Sequence, residues 1–214
     1  MKRSFDNMAG SYARLESLTF GKSLQHARGH ALSVFDANQP QKALLLGDGD
    51  GRFACRALQD NPLLQIDSID ISASMIHCAK TRIGTLDPEL LRRYNPINAN
   101  ALNYEYPLSK YDVVVTQFFL DCFRSDQANQ LIAKLETTIK LNGEFAYADF
   151  SIPKKRTWKF AGRFLVAILY HCFRLTTDIR ANRLPSLEWP ESLELETKAE
   201  FLKGLLTCEI RTKR

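Results

Sequence analysis

The stretch Ala43-Leu44-Leu45-Leu46-Gly47-Asp48-Gly49-Asp50-Gly51 decides how this chain folds. Four apolar residues followed by alternating glycines read as a buried strand that enters a glycine-rich ligand loop. Glycine at every second position lets the backbone approach a ligand closely, because no Cβ stands between them. Both intervening residues are acidic. A loop that cradles a pyrophosphate offers N–H groups and positive potential, so carboxylates at Asp48 and Asp50 would repel that ligand. The nicotinamide fingerprint also places its third glycine three positions after the second, where this chain has Arg52. A nucleoside carrying positive charge suits the loop better than a dinucleotide. Taken alone, the glycines are also compatible with a tight turn that holds no ligand.

Outward from this loop, strands and helices alternate, which predicts an α/β fold with a parallel sheet covered on both faces. The first strand is expected at 42–46 and a helix at Arg52–Asp60, with Phe53, Ala57 and Leu58 inward and Pro62 beyond its end. A second strand ends at Asp70. Ser72 then caps a helix in which Met75, Ile76, Ala79 and Ile83 recur at helical spacing up to Gly84. A third strand lies near Ile97. Val113-Val114-Val115 marks a fourth, over Tyr111 to Thr116, as a β-branched run buried on both sides. Ser125 is expected to cap a helix bearing Leu131, Ile132, Leu135 and Ile139, and Asn142-Gly143 to turn into a fifth strand, Glu144 to Phe150. Near the end, Leu193, Leu195, Thr197, Ala199 and Phe201 alternate with charged residues as a half-exposed strand. Lys203-Gly204 turns the chain, and Leu206, Cys208 and Ile210 complete an antiparallel hairpin.

With 214 residues, 45% of them hydrophobic and 25% charged, the chain has enough apolar material for one well-buried core. A single domain over 1–214 is expected, with a helical segment at 1–38 and a basic, aromatic helical insertion at about 151–190. The five cysteines are scattered and form no CxxC pair, which argues against a disulfide framework and against a metal site. No apolar run follows Lys2 and Arg3, so no signal peptide is read and a cytoplasmic location is expected. The net charge of +5 is concentrated. Residues 151–183 hold eight lysines and arginines against Asp178 alone, a net +7 that leaves −2 for the rest. The same segment carries Trp158, Phe160, Phe164, Tyr170 and Phe173, yet its apolar run is too short to span a bilayer.

Strand, acidic GxGxG loop, helix, Asp70 followed by Ile71-Ser72-Ala73-Ser74-Met75, and Asn100-Ala101 after the third strand together resemble a class I S-adenosylmethionine-dependent methyltransferase. Phe5-Asp6 to Tyr12 is also similar to the opening of methyltransferases from ubiquinone and menaquinone biosynthesis. The resemblance implies a Rossmann-like, three-layer sheet of seven strands with the last antiparallel, and S-adenosyl-L-methionine as cofactor. It implies that Gly47, Gly49 and Gly51 pass under the amino-acid part and ribose of that cofactor, with Asp70 on the ribose hydroxyls. Ile71 would pack on the adenine, Asn100 would bond its amino group with Ala101 alongside, and Met75, Thr116 and Gln117 would complete the surround. The family often has an acid two residues before the first glycine. Here that residue is Leu45, and Asp48 or Asp50 is the candidate to supply the missing charge.

Ligands in such sheets gather beyond the carboxyl ends of the strands. That points to Thr116-Gln117-Phe118-Phe119-Leu120-Asp121 and to Asp149-Phe150, with Asp121 and Asp149 as candidates for acceptor contact or general base; a structural role for either carboxylate remains open. Enzymes that methylate exocyclic or amide nitrogens carry Asn/Asp-Pro-Pro-Tyr after strand four, and cytosine C5 enzymes use Pro-Cys; this chain has Thr116-Gln117-Phe118-Phe119 and Asp121-Cys122. Cys122 reads as a buried thiol, and His77 and His171 as packing or surface residues. A small, apolar acceptor methylated at oxygen or carbon is the expectation. The basic insertion suits an acceptor with an anionic end, or peripheral contact with an anionic membrane through 154–173. A surface helix is equally compatible with it, and RNA binding less so. A degenerate scaffold that binds cofactor or partner without catalysis is the alternative class.

Overall fold

The computed structural model describes residues 22–38, 42–153, 158 and 183–214. The opening motif Phe5 to Tyr12 and residues 154–157 and 159–182 of the basic insertion lie outside the described residues. Within them, a helix α1 (Lys22–Asn38) precedes β1 (Lys42–Leu46), α2 (Arg52–Asp60), β2 (Gln65–Asp70), α3 (Ala73–Leu86), β3 (Tyr94–Asn98), β4 (Tyr111–Gln117), α4 (Ser125–Thr138), β5 (Ile139–Phe150), β6 (Leu193–Phe201) and β7 (Leu206–Lys213). The seven strands form one sheet in the order β3-β2-β1-β4-β5-β7-β6. β7 runs antiparallel to both neighbours, and the first five strands are parallel. Among the described residues no helix is long and apolar enough to cross a membrane.

Alternate residues of the central strands serve opposite faces, as the pleat dictates. Ala43, Leu45, Val113 and Val115 join Val34 and Phe35 of α1, Phe53 and Ala57 of α2, and Ala79 and Ile83 of α3. Leu44, Leu46 and Val114 pack with Leu131, Ile132 and Leu135 of α4 on the other side. This explains the unbroken apolar runs: strands covered twice have no solvent face on which to place a polar residue. The order reverses between β1 and β4, so the loops after these strands diverge and open a crevice at their carboxyl ends.

Four local expectations need correction. Ser125 is the first residue of α4, not its cap: Arg124 holds that place, with Gln127 Oε1 accepting its N–H at 3.3 Å, and Ser125 Oγ accepts the N–H of Ser186 instead. Gly84 does not end α3, which continues to Leu86 before Asp87. Ile139 belongs to β5 rather than to α4; the Asn142-Gly143 turn survives inside β5 as a bulge, with Asn142 at φ 62° and the register to β4 jumping from Tyr111↔Ile139 to Val113↔Glu144. In β6 the alternation breaks at a bulge between Leu195 and Thr197, which leaves both exposed at the sheet edge.

Candidate active site

At the end of β1 the chain extends its ladder by one bond, Gly47 N–H to Ile69 O at 3.0 Å, and then turns through three left-handed glycines. Two of them are packed from above. A Cβ on Gly47 would run into the Phe119 ring, and one on Gly51 would meet Ala79 of α3, whereas a Cβ on Gly49 would point into open space. Gly49 is therefore the place where a ligand can lie directly on the backbone.

The two acids of the loop face different ways. Asp50 turns outward, with its carboxylate 2.9 Å from both Arg52 Nε and the Arg82 guanidinium, while Arg82 Nε also donates to its carbonyl. Asp48 turns inward, into a cleft that Arg28, Leu45, Phe53 and Gln117 help to line. Its Oδ2 is buried with no hydrogen-bond donor, and Gln117 Nε2 is likewise buried and unpartnered. Burial pushes the Asp48 carboxyl up to about 8; the charges of Asp50 and Asp70 act the same way, against the Arg28 guanidinium and the Ala54 N–H. Leu45 lies in the core at 2% exposure. Of the two loop acids, it is Asp48 that presents a carboxyl to the cleft.

Asp70, at the end of β2, accepts the Ser72 N–H on Oδ1 at 2.8 Å, and Ser72 Oγ in turn accepts the N–H of Met75 as the cap of α3. Met75 is a buried residue of the first turn of that helix, whereas Ile71 is 62% exposed beside Asp70. The two strand ends are stitched together, because Asn98 Nδ2 donates to the carbonyls of Asp70 and Ile71 at 3.0 Å each and the Ala99 N–H donates to Asp70 O at 3.1 Å. Asn100 follows, exposed, with its Oδ1 accepting the Leu102 N–H in an Asx turn; Ala101 is buried and its carbonyl accepts the Tyr106 hydroxyl.

Beyond β4, Thr116 is buried with an unpartnered hydroxyl, and the turn from Phe118 to Phe123 brings Asp121 against Asp149 at the end of β5. Asp149 Oδ2 accepts the Asp121 N–H at 3.1 Å and Oδ1 accepts the Phe150 N–H at 2.8 Å. Burial lifts Asp121 to about 6, opposed by the Cys122 thiol and backbone N–H groups. Burial and the nearby Asp121 charge push Asp149 well above the carboxylate range. Cys122 is pushed up too, by burial and by both aspartates, so it stays a neutral thiol donating to Asp121 Oδ1 at 3.6 Å.

Three groups of sequence candidates thus come together: the glycine loop with Asp48 and Gln117, the Asp70–Ile71–Asn100 edge, and the Asp121–Asp149 pair. Asp50 points elsewhere, to Arg52 and Arg82. Sequence reasoning missed Arg28 and Asn98, and it named Phe119 only as part of the stretch after β4. Only Asn98 had a local signal, as the polar residue closing a strand whose neighbour also ends in an acid. The chemistry of these groups is compatible with a cationic nucleoside: an open glycine, an orphaned buried carboxyl, and a carboxylate at the end of β2.

The family model described as a methyltransferase domain matches residues 44–145, from β1 into β5. That match covers just under half of the chain, and the seven-stranded sheet with its antiparallel last strands has the Rossmann-like order of methyltransferase folds. A Nostoc punctiforme protein provisionally named as an O-methyltransferase is similar over 98% of this chain and 60% of its own, at 19% identity and a TM-score of 0.68. The mitomycin 7-O-methyltransferase MmcR is similar over 99% of this chain and 61% of its own, at 14% identity and a TM-score of 0.67. The N-methyltransferase NodS of Bradyrhizobium japonicum, solved with S-adenosyl-L-homocysteine, is similar over 88% of this chain and 86% of its own, at 12% identity and a TM-score of 0.60. The chain thus spans less than two thirds of the first and second of these. No curated protein sequence matches it.

Proposed function

We propose that the chain transfers a methyl group from S-adenosylmethionine to a small, apolar acceptor at oxygen or carbon. The observation that carries this reading is the meeting of Asp121 and Asp149 at the carboxyl ends of β4 and β5, next to the turn whose Phe119 covers Gly47. A sulfonium is already a good leaving group, so such a site has to align acceptor, methyl and sulfur and, where the acceptor must lose a proton, provide a base. Asp48 would meet the cofactor's positive end, Asp70 its ribose hydroxyls, and Ile71 its adenine. The similarity to MmcR and to the Nostoc protein supports a small-molecule acceptor, and the free cysteines among the described residues support a cytoplasmic location. Peripheral contact with an anionic membrane through 154–173 is part of the proposal. Its support is the basic excess there, together with Trp158, which is 41% exposed under Lys203 Nζ at 3.5 Å.

Calorimetric titration tests the core of this reading. Micromolar binding of S-adenosylmethionine and S-adenosylhomocysteine, with NADH failing to bind, is the expected result. Absence of binding would favour a scaffold without catalysis.

A further inference from the structure

Asp121 and Asp149 are not equivalent. Both carboxylate oxygens of Asp149 receive backbone N–H groups, from Asp121 and Phe150, and the Leu120 N–H lies on it too. Its carboxyl is 1% exposed and ties the Leu120–Cys122 turn to the end of β5. Asp121 is 5% exposed and receives on Oδ1 the long, weak S–H contact of Cys122. Around it the turn sets out three half-buried phenylalanines. Phe119 lies over Gly47, Phe123 meets Phe119 edge to face at 5.1 Å, and Phe118 tilts against Phe150 at 5.3 Å with the Arg28 guanidinium 5.5 Å from its ring centre. The rings thus run from the cofactor loop to the carboxylate pair.

Resting on the methyl-transfer reading, we propose that the acceptor is an uncharged aromatic hydroxyl compound seated against Phe119 and Phe123, that Asp121 receives its hydroxyl proton, and that Asp149 is a positioning residue holding Asp121 in place. Aromatic edges and faces offer an aromatic guest the offset and perpendicular contacts such rings prefer. A buried carboxylate repels a guest that is already anionic and accepts a hydrogen bond from a neutral hydroxyl. In the transfer the O–H bond breaks, its proton going to the Asp121 carboxylate. The acceptor oxygen forms a new bond to the methyl carbon, and the carbon–sulfur bond breaks with its electron pair left on sulfur. A carboxyl lifted to about 6 is charged at neutral pH and is a stronger base than an ordinary aspartate. Phenol-type hydroxyls lie within its reach, and aliphatic alcohols do not.

The probe is 4-nitrophenol, whose neutral and ionised forms absorb at different wavelengths, titrated into the protein saturated with S-adenosylhomocysteine. The bound probe is expected to favour its neutral form by about tenfold over the free probe, the scale of a nearby like charge. Asp121→Asn should abolish that preference with S-adenosylhomocysteine affinity kept, and Asp149→Asn should weaken probe binding without reversing the preference. A wild-type bound probe with an unshifted spectrum, or one that responds to Asp149→Asn and not to Asp121→Asn, overturns the assignment. Failure of the probe to bind while S-adenosylhomocysteine binds removes the acceptor class and leaves the cofactor reading standing; failure of both removes the two together.

Discussion

Gly51 and Ala79 meet backbone to backbone: a Cβ on Gly51 would lie 2.7 Å from both Cα and Cβ of Ala79, and Gly51 stands at φ 80°. Gly51→Ala must therefore push α3 away from the glycine loop while holding an alanine in left-handed geometry. The expected loss of stability is about 2–4 kcal/mol. Gly49→Ala shares the torsional problem at φ 65° but meets open space, so it should lose about 1–2 kcal/mol of stability and proportionally more cofactor affinity. Urea titration and calorimetry on both variants separate the two effects, and equal losses in both assays would contradict the distinction.

Asp48 predicts a proton released on cofactor binding. Its carboxyl, raised to about 8, is mostly protonated at neutral pH, and a positive ligand end placed against Oδ2 favours the charged form. Near pH 7 a proton should therefore leave to the buffer, and well above pH 8 none should. Calorimetry at pH 7 in buffers of different ionisation enthalpy would read this as a slope, which Asp48→Asn should remove. In the free protein the sign for stability follows from the raised value. The contribution is full below the ordinary carboxylate range and is lost as pH rises towards about 8.

Asp121 sets the acid limb of the reaction. With its carboxyl at about 6, the rate of methyl transfer to a phenolic acceptor should fall as pH drops through that value. Asp121→Asn should lower kcat by about 10²–10⁴-fold. A profile that stays flat between pH 5 and pH 7 in the wild type would count against Asp121 as the base.

At the other end of the strands, Asp67 is 1% exposed and accepts from Lys42 Nζ, Lys110 Nζ, Asn95 Nδ2 and the Tyr111 hydroxyl, all between 2.8 and 3.0 Å. These donors hold its carboxyl well below the usual range against the pull of burial. The stability it contributes is present above the ordinary aspartate value, about 4, and is lost as pH falls below it. Asp67→Ala should cost about 2–4 kcal/mol at pH 7, less than a fully buried pair because both lysines are part exposed. Urea midpoints at neutral and acid pH should converge for wild type and variant.

Asp70→Ala should weaken S-adenosylmethionine binding by about 1–3 kcal/mol, the scale for hydrogen bonds to a charged partner. Asn98→Ala, which leaves Asp70 in place but frees the carbonyls that Asn98 holds, should weaken it by less. Titration of both variants checks the order, and unchanged affinity in Asp70→Ala would remove the ribose contact.

Where local pattern controlled the outcome, the sequence was readable. Arg52–Asp60 formed the expected helix to the residue, and Val113-Val114-Val115 lay at the centre of the sheet. The terminal hairpin followed from strands read one at a time, whereas the strand order came only from the pairing itself. What escaped depended on partners distant in the chain. Ser125 looked like a cap because nothing nearby revealed that Ser186 would claim its hydroxyl. Asp67 draws its donors from 25 to 44 positions away, and no periodicity announces that. Leu195 was expected inward because a strand pattern carries no sign of a bulge, and β7 buries Thr207 and Glu209 along with its apolar residues because it is a central strand rather than an edge. In the site, the glycine loop and Asp70 were legible as motif. The opposite orientations of Asp48 and Asp50, and the unequal hydrogen bonding of Asp121 and Asp149, needed coordinates.

Ile152, just after β5, and Leu184, just ahead of β6, pack on one small cluster with Leu24, Phe150 and Leu206. The intervening chain therefore departs from and returns to a single seam, and closing it asks little of the strands on either side. In evolutionary terms the sheet is a chassis with one socket: both ends of the basic stretch are moored beside the pairing of β5 with β7, at a fixed pair of anchors.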